Sequence, residues 1–457
     1  MLNCFAAEKN SDAVLINFIA ENEFSVWKTE QSSHAKNWLD AQKFSGKSET
    51  FCVIPDKTGK IEKVVAITSE KNNFIYMGSL VNSLPENIYY LEKLNSQAAL
   101  FWGMGAYQFT KYKKPKKNPS KLVLPKNHED HESIVAQLHA IYTVRNLINT
   151  PTENMGPQDL ADAAKKLASH YKAEFSEIIG ENLIKQNYPA IHTVGRASTN
   201  QPRLIELNWG NKKHPKITLV GKGVCFDSGG LDIKPAVGML GMKKDMGGAA
   251  HVLGLASLIM HTNLPVKLRV LIPAVENVIS GNAYKPGDVI NTRKGLTVEI
   301  GNTDAEGRLI LADALAEASS ENPDLIIDFS TLTGAARVAM GTEISALFSN
   351  DDELAAELVS FGEALQDPIW PMPLYKPYRK LIDSPIADLN NTSTSIYGGA
   401  ITAALFLKEF VSEGISWAHF DIMAWNATTT SAHPEGAEAM GMRAVFEYLS
   451  SRYAGTR

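Results

Sequence analysis

The sequence contains few cysteines and no apolar run long enough to cross a membrane. Its 457 residues include three cysteines, Cys4, Cys52 and Cys225, which are odd in number and far apart. This usage indicates a reducing compartment without structural disulfides. No stretch of about 18 apolar residues occurs, and the first residues lack the basic and apolar regions of a secretory signal. We therefore expect a cytoplasmic protein that makes no use of a membrane.

The chain also lacks a strong excess of charge of either sign. It has 45 basic and 50 acidic residues, and a net charge of -5 gives no general attraction to nucleic acid or anionic membranes. A local lysine cluster over 111–126 keeps a nucleic-acid-binding module as an alternative of a different class. The cluster has no interleaved base-reading residues, so a solvated segment is the favoured interpretation and we expect no nucleic-acid partner.

Short apolar runs alternate with helical patterns along the whole chain, which predicts an α/β fold. We expect a small N-terminal α/β domain over residues 1–125, with a macro-like fold as one alternative, and a larger catalytic domain over 126–457. A basic, proline-containing segment over 112–121 is typical of a linker, and residues 129–148 are predicted to form a joining helix.

The larger domain is predicted to have a mixed, mostly parallel central sheet flanked by helices. Its predicted strands are residues 203–209, 216–220, 267–273, 325–330 and 417–422. In the smaller domain, strands are predicted near 13–18, 50–54 and 63–67, and a helical stretch over 90–109.

The most informative motif is Asn302-Thr303-Asp304-Ala305-Glu306-Gly307-Arg308, which places two carboxylates and a guanidinium within five residues. In an extended or turning backbone Asp304 and Glu306 can project to one side. The apolar run after Arg308 predicts a helix, so the two acids lie in the loop that enters it. They indicate a metal site, although an isolated acidic pair is more often a helix N-terminus favoured by the macrodipole.

A second group of charged residues lies among glycines upstream of this motif. Lys222 follows a predicted buried strand, and Asp227, Lys234 and Asp245 follow within the stretch 220–250. Each residue has a simpler interpretation when it is taken alone. Lys222 could pair with a carboxylate or reach water, and Asp245 could cap the Ala- and Leu-rich helix that follows.

Taken together, these segments resemble the di-metal leucyl aminopeptidases of the cytosolic, hexameric family. The motif over 302–308 and the stretch Gly221-Lys222-Gly223-Val224-Cys225-Phe226-Asp227-Ser228-Gly229-Gly230, followed by Lys234 and by Met242–Gly248, both match that family. The resemblance extends from about Ile141 to the C-terminus and is much weaker before that. A cytoplasmic homohexamer that acts on peptides is what it implies.

The resemblance implies two divalent metal ions, Mn²⁺ or Zn²⁺, per subunit. One ion is expected on Lys222, Asp227, Asp245 and Glu306, and the other on Asp227, Asp304 and Glu306. Four carboxylates then balance two divalent cations, provided that Lys222 binds as a neutral amine.

The implied reaction is hydrolysis of the first peptide bond by a water molecule activated between two metals. Lys234 is expected to stabilise the oxyanion of the tetrahedral intermediate, and Arg308 to hold a bicarbonate ion that serves as general base.

The family resemblance also implies a substrate pocket of Leu-type, broad preference. Its expected substrate-binding residues are Met242, Asn302, Thr331, Leu332 and Gly334. The segment 324–334 is predicted to be a buried strand that leads into a glycine turn, and such strand ends bind ligands in open α/β sheets. For Met242 alone, filling of the core is the simpler alternative.

Two features leave alternatives open. Cys225 stands where many relatives carry threonine, and we expect a buried, inert thiol there, with oxidation or binding of a soft ion as the alternative. The stretch 420–436 is expected to affect selectivity if it shapes the pocket rim. A two-metal phosphatase is the nearest rival within the hydrolases, and the lysine ligand and the complete motif argue against it.

Overall fold

The computed structural model describes residues 2–455, which form two compact units. The first unit contains the residues up to His139 together with Thr428–Glu435. The second contains Ala140–Ala427 and the residues from Gly436 onward. A 19-residue helix, α5 (His131–Asn149), includes residues of both, and it confirms the helix predicted over 129–148.

The first unit is built on a six-stranded sheet in the order β1-β6-β5-β2-β4-β3. Its strands are β1 (Phe5–Ala6), β2 (Val14–Ala20), β3 (Phe51–Pro55), β4 (Ile61–Thr68), β5 (Ile88–Tyr90) and β6 (Lys121–Val123). Its helices are α1 (Phe24–Thr29), α2 (Ser33–Ala41), α3 (Met77–Ser83) and α4 (Ser96–Gly105). All neighbouring strands are parallel except β3, which is antiparallel to β4. The three strands predicted here are confirmed.

Two sequence-based expectations for the first unit were wrong in detail. The helical stretch predicted over 90–109 begins later, at Ser96, because Asn95 caps α4 by accepting hydrogen bonds from the N–H groups of Gln97 and Ala98. The basic segment predicted to be a linker connects α4 to β6 within the first unit, since β6 pairs with β1 and β5 in the same sheet.

The second unit has a nine-stranded sheet with the path β16-β15-β18-β14-β9-β11-β8-β7, and β10 pairs with β11 beside it. Two small sheets, β12-β13-β17 and β19-β20, accompany it. The strands of the second unit are β7 (Glu174–Ile179), β8 (Arg203–Trp209), β9 (Lys216–Gly221), β10 (Gly223–Asp227), β11 (Lys267–Asn277), β12 (Val289–Asn291), β13 (Thr297–Glu299), β14 (Leu325–Ser330), β15 (Ser345–Ser349), β16 (Ile369–Pro371), β17 (Leu389–Asn390), β18 (Ser416–Asp421), β19 (Trp425–Asn426) and β20 (Gly436–Ala437).

The helices of the second unit cover the sheet and bury its apolar strands. They are α6 (Pro157–Tyr171), α7 (Asn182–Lys185), α8 (Pro189–Gly195), α9 (Ala236–Met239), α10 (Gly247–His261), α11 (Glu306–Ser320), α12 (Gly334–Met340), α13 (Asp352–Ala364), α14 (Gly399–Lys408) and α15 (Met442–Tyr453). Every residue of β14 is buried, and α10 is buried along nearly its whole length. Such continuous apolar runs are typical of strands and helices in the interior of an α/β sheet.

Most neighbours in this sheet are parallel, and the antiparallel pairs are β15 with β18, β11 with β8 and β8 with β7. The predicted fold class, a small N-terminal α/β domain and a larger α/β domain with a mixed, mostly parallel sheet, is confirmed. All five strands predicted for the second unit are present.

The topology brings several strand ends to one edge of the sheet. Strand β9 is parallel to β11 and β14, β14 is parallel to β18, and β10 is parallel to β11. The carboxyl ends of all five strands therefore point to the same edge of the sheet, and in open α/β sheets this edge binds ligands. None of the helices in residues 2–455 is long and apolar enough to span a membrane.

Candidate metal centre and active site

Lys222 lies at the centre of this edge, directly after β9. Its Nζ is 2.7 Å from Asp245 Oδ2 and 2.9 Å from Glu306 Oε1, and it donates a hydrogen bond of 3.3 Å to the carbonyl of Thr331. The side chains of Lys222, Asp245 and Glu306 are all almost completely buried. Burial lowers the pKa of Lys222, but the surrounding carboxylates raise it by more, so the ammonium form is favoured.

Two glycines allow the backbone to approach Lys222 closely. A Cβ atom on Gly248 would lie 2.0 Å from the carbonyl oxygen of Phe329 and 2.7 Å from the backbone nitrogen of Lys222. A Cβ atom on Gly307 would lie 2.4 Å from Cε of Lys222. Helices α10 and α11 therefore start in contact with the lysine. Any larger residue at these two positions would displace the neighbouring backbone or the Lys222 side chain.

Three buried carboxylates form a group that could hold a metal ion. Oxygen atoms of Asp227, Asp245 and Glu306 all lie within 4.8 Å of one another. Burial raises the pKa of Asp227 to about 6, and the charge of Asp245 adds to the effect. Burial and the charge of Asp227 also raise the pKa of Glu306 well above its usual value. Burial opposes ionisation of Asp245 as well, yet Lys222 holds its pKa below the usual range.

Lys234 links a fourth acid, Asp304, to this group of three carboxylates. Its Nζ lies 2.7 Å from Asp227 Oδ2 and also contacts Asp304 Oδ1. Burial lowers the pKa of Lys234, and the two carboxylates raise it by more, so the side chain is cationic at neutral pH. Six of the seven charged residues predicted at the site are thus brought together: Lys222, Asp227, Lys234, Asp245, Asp304 and Glu306.

Several polar residues that hold the acids were missed in the sequence. Asn277, the last residue of β11, donates hydrogen bonds to Asp227 Oδ1 at 2.9 Å and to the carbonyl of Thr303 at 3.0 Å. The hydroxyl of Tyr284 donates to the same carbonyl at 2.7 Å. Asp232 accepts a hydrogen bond of 2.7 Å from the N–H of Thr303. These contacts fix the loop that carries the carboxylates.

Arg308 lies in the first turn of α11, two residues after Glu306. Its Nη1 donates a 2.6 Å hydrogen bond to the carbonyl of Asn391, while its Nε is buried without a hydrogen-bond partner among the described residues. Burial lowers the pKa of Arg308 to about 10, so the guanidinium keeps its charge at neutral pH. Asn391 also holds Asn302, since its Oδ1 accepts from the N–H and its Nδ2 donates to the carbonyl of Asn302. Asn302 in turn accepts from the N–H of Asp304.

The predicted pocket residues continue from the same cluster. Thr331 donates a 2.6 Å hydrogen bond to Asp245 Oδ1, and Leu332 follows it with its N–H bonded to Asp421 Oδ1 at 2.9 Å. Gly334 is exposed at the start of α12, and Met242 is half-buried at the start of a 3₁₀ turn that ends at Met246. Asp421 ends β18 and also accepts from Thr333, so it fixes this loop.

The simpler interpretation was wrong for Asp245, whereas Cys225 is buried as expected. Asp245 does not cap α10, because it lies inside the 3₁₀ turn and Met246 occupies the cap position. Cys225 is a free, buried thiol whose pKa is raised well above its usual value by burial. A register shift in β10 falls at Cys225, so the alternation of side chains is interrupted before Asp227.

His251 is a packed histidine and stands apart from the acids of the site. Its Nδ1 lies 2.6 Å from the carbonyl of Gly247, and its Nε2 accepts a hydrogen bond from the N–H of Met440. Burial lowers its pKa to about 4, which keeps the ring neutral.

Comparison with known families and structures agrees with this arrangement. The cytosol aminopeptidase family catalytic domain matches residues 142–446, and the M17 aminopeptidase N-terminal domain matches residues 14–125. The chain has a TM-score of 0.95 and 49% identity with the crystal structure of cytosol aminopeptidase from Coxiella burnetii, covering 99% of this chain and 100% of that one. The bottromycin maturation enzyme BotP, whose structure was solved in complex with Mn, has a TM-score of 0.86 and 29% identity over 97% of this chain and 100% of its own.

Curated relatives give the same result. The chain is 44% identical over 315 residues to a probable cytosol aminopeptidase of Syntrophotalea carbinolica, a match that covers 68% of this chain and 63% of that protein. It is 41% identical over 359 residues to a probable cytosol aminopeptidase of Aquifex aeolicus, covering 76% and 72% of the two chains. The matched part thus spans slightly less than two thirds of the Syntrophotalea protein. From its motifs, its fold and these matches, the chain belongs to the cytosol aminopeptidase family, M17.

Proposed function

We propose that this protein is a metal-dependent aminopeptidase that hydrolyses the first peptide bond of peptides. The observation that carries the proposal is the group of buried carboxylates at the carboxyl ends of the central strands. Family membership supports the same reaction, and peptides with a free N-terminus are the expected substrates.

The residues at the site fit divalent cations. Four carboxyl groups (Asp227, Asp245, Asp304 and Glu306) face two ammonium groups (Lys222 and Lys234), and this excess of acids accompanies the raised pKa values of Asp227 and Glu306. In addition, Oε2 of Glu306 is buried and has no hydrogen-bond partner among the described residues. A buried carboxylate oxygen without a donor is costly unless a cation contacts it.

Two ions, Mn²⁺ or Zn²⁺, would occupy the site, with Asp227 and Glu306 shared between them. Lys222 and Asp245 would complete one coordination sphere and Asp304 the other. When bound, the cations would polarise the scissile carbonyl and lower the pKa of the attacking water. Their positive charge would also lower the pKa of Lys222, which the surrounding carboxylates otherwise raise. Lys222 could then bind a metal ion as a neutral amine.

Lys234 has the position and charge to stabilise an oxyanion. Its pKa is raised by Asp227 and Asp304 after burial is overcome, so it remains a donor at neutral pH. A fixed ammonium beside the reacting carbonyl stabilises negative charge as it develops, without reorganisation at that moment.

Arg308 fits the predicted binding of bicarbonate. Its buried Nε is a free donor among the described residues, and Nη1 is held in place by Asn391. A planar anion can accept from one edge of such a guanidinium. Bicarbonate held there would take up the proton of the attacking water.

The predicted pocket is formed by Met242, Thr331 and Gly334, with Asn302 and the backbone of Leu332 as further substrate contacts. Thr331 is tied to the metal ligand Asp245, and Leu332 to Asp421, so both sides of the loop are fixed. Met242 is half-buried and Gly334 is exposed, and a flexible methionine with a residue that has no side chain suits contact with an aliphatic group. A broad preference that includes leucine follows.

We also propose a cytoplasmic homohexamer. Val338 of α12 is 90% exposed, and Ile396 and Tyr397, just before α14, are 91% and 77% exposed. These elements are neighbours, because a Cβ atom on Gly399 would lie 3.3 Å from Ala335. Large apolar side chains exposed side by side are typical of a surface that another subunit covers.

The test is hydrolysis of leucyl-p-nitroanilide by protein stripped of metal and then supplied with Mn²⁺ or Zn²⁺. We expect metal to restore turnover in the parent and not in Glu306→Gln. Glu276→Gln is the matched control, since it removes another buried carboxylate whose partners are Ser198 and Asn200. It should keep both metal binding and turnover.

Equilibrium dialysis with Mn²⁺ gives a readout that does not depend on turnover. Glu306→Gln should bind less metal than the parent. Metal-loaded parent that cleaves p-nitrophenyl phosphate, or nothing, instead of the arylamide would overturn the proposal.

A further inference from the structure

A buried pair of a carboxylate and a histidine lies in the central sheet, on two strands that lead to the site. His419 Nδ1 donates a 2.6 Å hydrogen bond to Asp328 Oδ1, and Trp417 Nε1 donates one of 2.7 Å to Asp328 Oδ2. All three residues are fully buried. A buried ion pair stabilises a fold little more than apolar residues of the same size would. Stability alone therefore does not explain why polar residues occupy these positions.

The register of the strands places this pair directly before Asp421. His419 and Asp421 are two residues apart on β18, so their side chains project from the same face of the sheet. On β14, Asp328 lies opposite His419. Ser330 of the same strand lies opposite Asp421, so the pair and Asp421 occupy neighbouring rows of that face. On the other side of β18, β15 contributes the apolar Phe348 opposite His419, and the two rings stack.

Asp421 in turn holds the loop that enters α12. Its Oδ1 accepts hydrogen bonds from the N–H groups of Leu332 and Thr333, and its Oδ2 accepts one from the Thr333 hydroxyl. All three donors are uncharged, and Asp421 is only 3% exposed. Burial raises the pKa of Asp421, and the charge of His419 is the largest effect that lowers it. A buried carboxylate with uncharged donors depends on such a nearby positive charge to stay ionised.

Three charged groups act on His419 from the neighbouring elements. They are Asp328 on β14, Asp421 on β18 itself and Arg308 on α11. Burial lowers the pKa of His419, but the two carboxylates raise it by more, so it lies above its ordinary value although Arg308 opposes the change. The imidazolium form is therefore favoured up to a higher pH than in a solvated histidine.

We propose that His419, fixed by Asp328, is a positioning residue for the aminopeptidase reaction: as an imidazolium it keeps Asp421 ionised, and Asp421 then holds Leu332 in place to contact the substrate. This inference rests on the proposed function and on the predicted contact of the Leu332 backbone with the substrate. His419 and Asp328 touch no reacting atom, and their effect passes through Asp421. No bond to either residue is made or broken.

Substrate binding should consequently depend on the charge of His419. While His419 is protonated, the hydrogen bonds that Asp421 accepts are charge-assisted and about twice as strong as neutral ones. This benefit is fully present below the ordinary pKa of a histidine, and it is lost as the pH rises through the raised pKa of His419. Because the loop binds substrate and the metals perform the reaction, KM should respond more than kcat.

The experiment measures kcat and KM of the metal-loaded full-length protein for leucyl-p-nitroanilide between about pH 6 and 10. At the lower end, KM of His419→Gln should exceed that of the parent by about five- to tenfold, the factor that one hydrogen bond supplies, while kcat stays within about twofold. The ratio of the two KM values should fall toward one as the pH rises and His419 of the parent loses its proton.

Asp328→Asn separates positioning from packing, because it keeps the shape of the side chain and removes its charge. Without the carboxylate, the pKa of His419 should fall by about one unit or more. KM of Asp328→Asn should therefore be lost to the higher value at a lower pH than KM of the parent. A residue that only fills space would not move this midpoint. If His419→Gln does not fold, the profile of Asp328→Asn decides.

His251→Gln is the matched control, since it removes another fully buried histidine that stacks on an aromatic ring. Burial lowers the pKa of His251 to about 4, so its ring is neutral over the whole range, and the pH at which KM changes should equal that of the parent. Equilibrium dialysis with Mn²⁺ adds a readout without turnover. His419→Gln should bind the metal as the parent does, because its hydrogen bond goes to Asp328 and to none of the predicted ligands.

The outcomes separate the two proposals. Parent protein that cleaves no arylamide contradicts the proposed function. An active parent whose KM equals that of His419→Gln at every pH overturns the role of His419 alone. An unchanged midpoint in Asp328→Asn overturns it as well, and so does a fall in kcat and in Mn²⁺ binding that accompanies the change in KM.

Discussion

The two units place charge at the ends of parallel strands in opposite ways. In the first unit β2 is followed by Glu23, whose partner Lys71 lies 3.6 Å away, and their side chains are 44% and 77% exposed. In the second unit β9 is followed by Lys222, and the side chains of Lys222 and its partner Asp245 are 3% and 5% exposed. Water can solvate the first pair, whereas the second depends on its neighbours. Buried charge at a sheet edge therefore indicates a site, and exposed charge does not.

The largest expected effect comes from removing Lys222. In metal-free protein, Lys222→Met would leave Asp245 and Glu306 buried without their cation, and we expect a loss of about 3–5 kcal/mol in the free energy of unfolding. Lys71→Met removes the exposed pair and should cause no measurable change. Urea unfolding followed by circular dichroism measures both. Equal losses in the two variants would contradict the comparison.

The next effect concerns two aspartates that both accept backbone hydrogen bonds. Asp313 accepts from the N–H groups of Ala190, Ile191 and Arg293, and burial raises its pKa to about 7. Asp56 in the first unit accepts from Thr58, which lowers its pKa. The pKa values of the two aspartates thus change in opposite directions although both accept backbone hydrogen bonds, because only Asp313 is buried.

The raised pKa of Asp313 fixes the sign of its pH dependence. The native state binds this proton more tightly than the unfolded chain, so the contribution favours folding below about pH 4 and is lost as the pH rises toward 7. The free energy of unfolding of Asp313→Asn, relative to the parent, should therefore rise by about 2–3 kcal/mol between about pH 5 and 8. Asp56→Asn should show no such rise over this range. If the free energy of unfolding of Asp313→Asn relative to the parent did not change with pH, the Asp313 carboxyl would be ionised in the native state over the whole range.

A smaller effect is expected at Gly307, where an added Cβ atom would meet the flexible end of Lys222. Gly307→Ala should move the lysine and leave the fold intact, which weakens Mn²⁺ binding by about 10- to 100-fold. In the control Gly281→Ala, the new Cβ atom has no atom within 4 Å, and affinity should be unaffected. Equilibrium dialysis measures both, and unchanged affinity in Gly307→Ala would argue against Lys222 as a ligand.

The smallest effect is expected at Thr333, which caps α12 and donates a hydrogen bond to Asp421. Thr333→Val should reduce the free energy of unfolding by about 1 kcal/mol. It should also raise KM for leucyl-p-nitroanilide more than it lowers kcat, because the loop with Leu332 loses its anchor. Asn95→Ala removes the cap of α4 in the first unit and should reduce stability similarly without changing KM. A changed KM in both variants would point to a general loss of structure.

Local patterns were sufficient to predict five strands of the second unit, among them β9, β11 and β14 at the centre of its sheet, and the acids that lie between them. Strand β14 is buried on both faces and therefore reads as a continuous apolar run. Family motifs also brought Lys222, Asp227 and Glu306 into one group before any geometry was known. These features depend on residues close together in the sequence or on a motif of fixed spacing.

The features that were missed depend on contacts between distant segments. Asn277 holds Asp227 from 50 positions away, and Asn391 holds Arg308 from 83 positions away. Nothing in the local sequence around either asparagine indicates such a partner. The late start of the helix at Ser96 was missed for a different reason, since Tyr90 at the beginning of the predicted stretch belongs to β5 and Asn95 caps the helix.

The close approach at Gly248 has a consequence for how this site can change over evolutionary time. Because α10 touches the strand ends through main-chain atoms, the separation between Lys222 and the segment with Asp245 is set by peptide geometry and not by the volume of any side chain. Apolar residues deeper in the unit can drift in size, at some loss of stability, while the spacing of the ligands is inherited unchanged. New specificities can then arise at the pocket rim without disturbing the reaction centre.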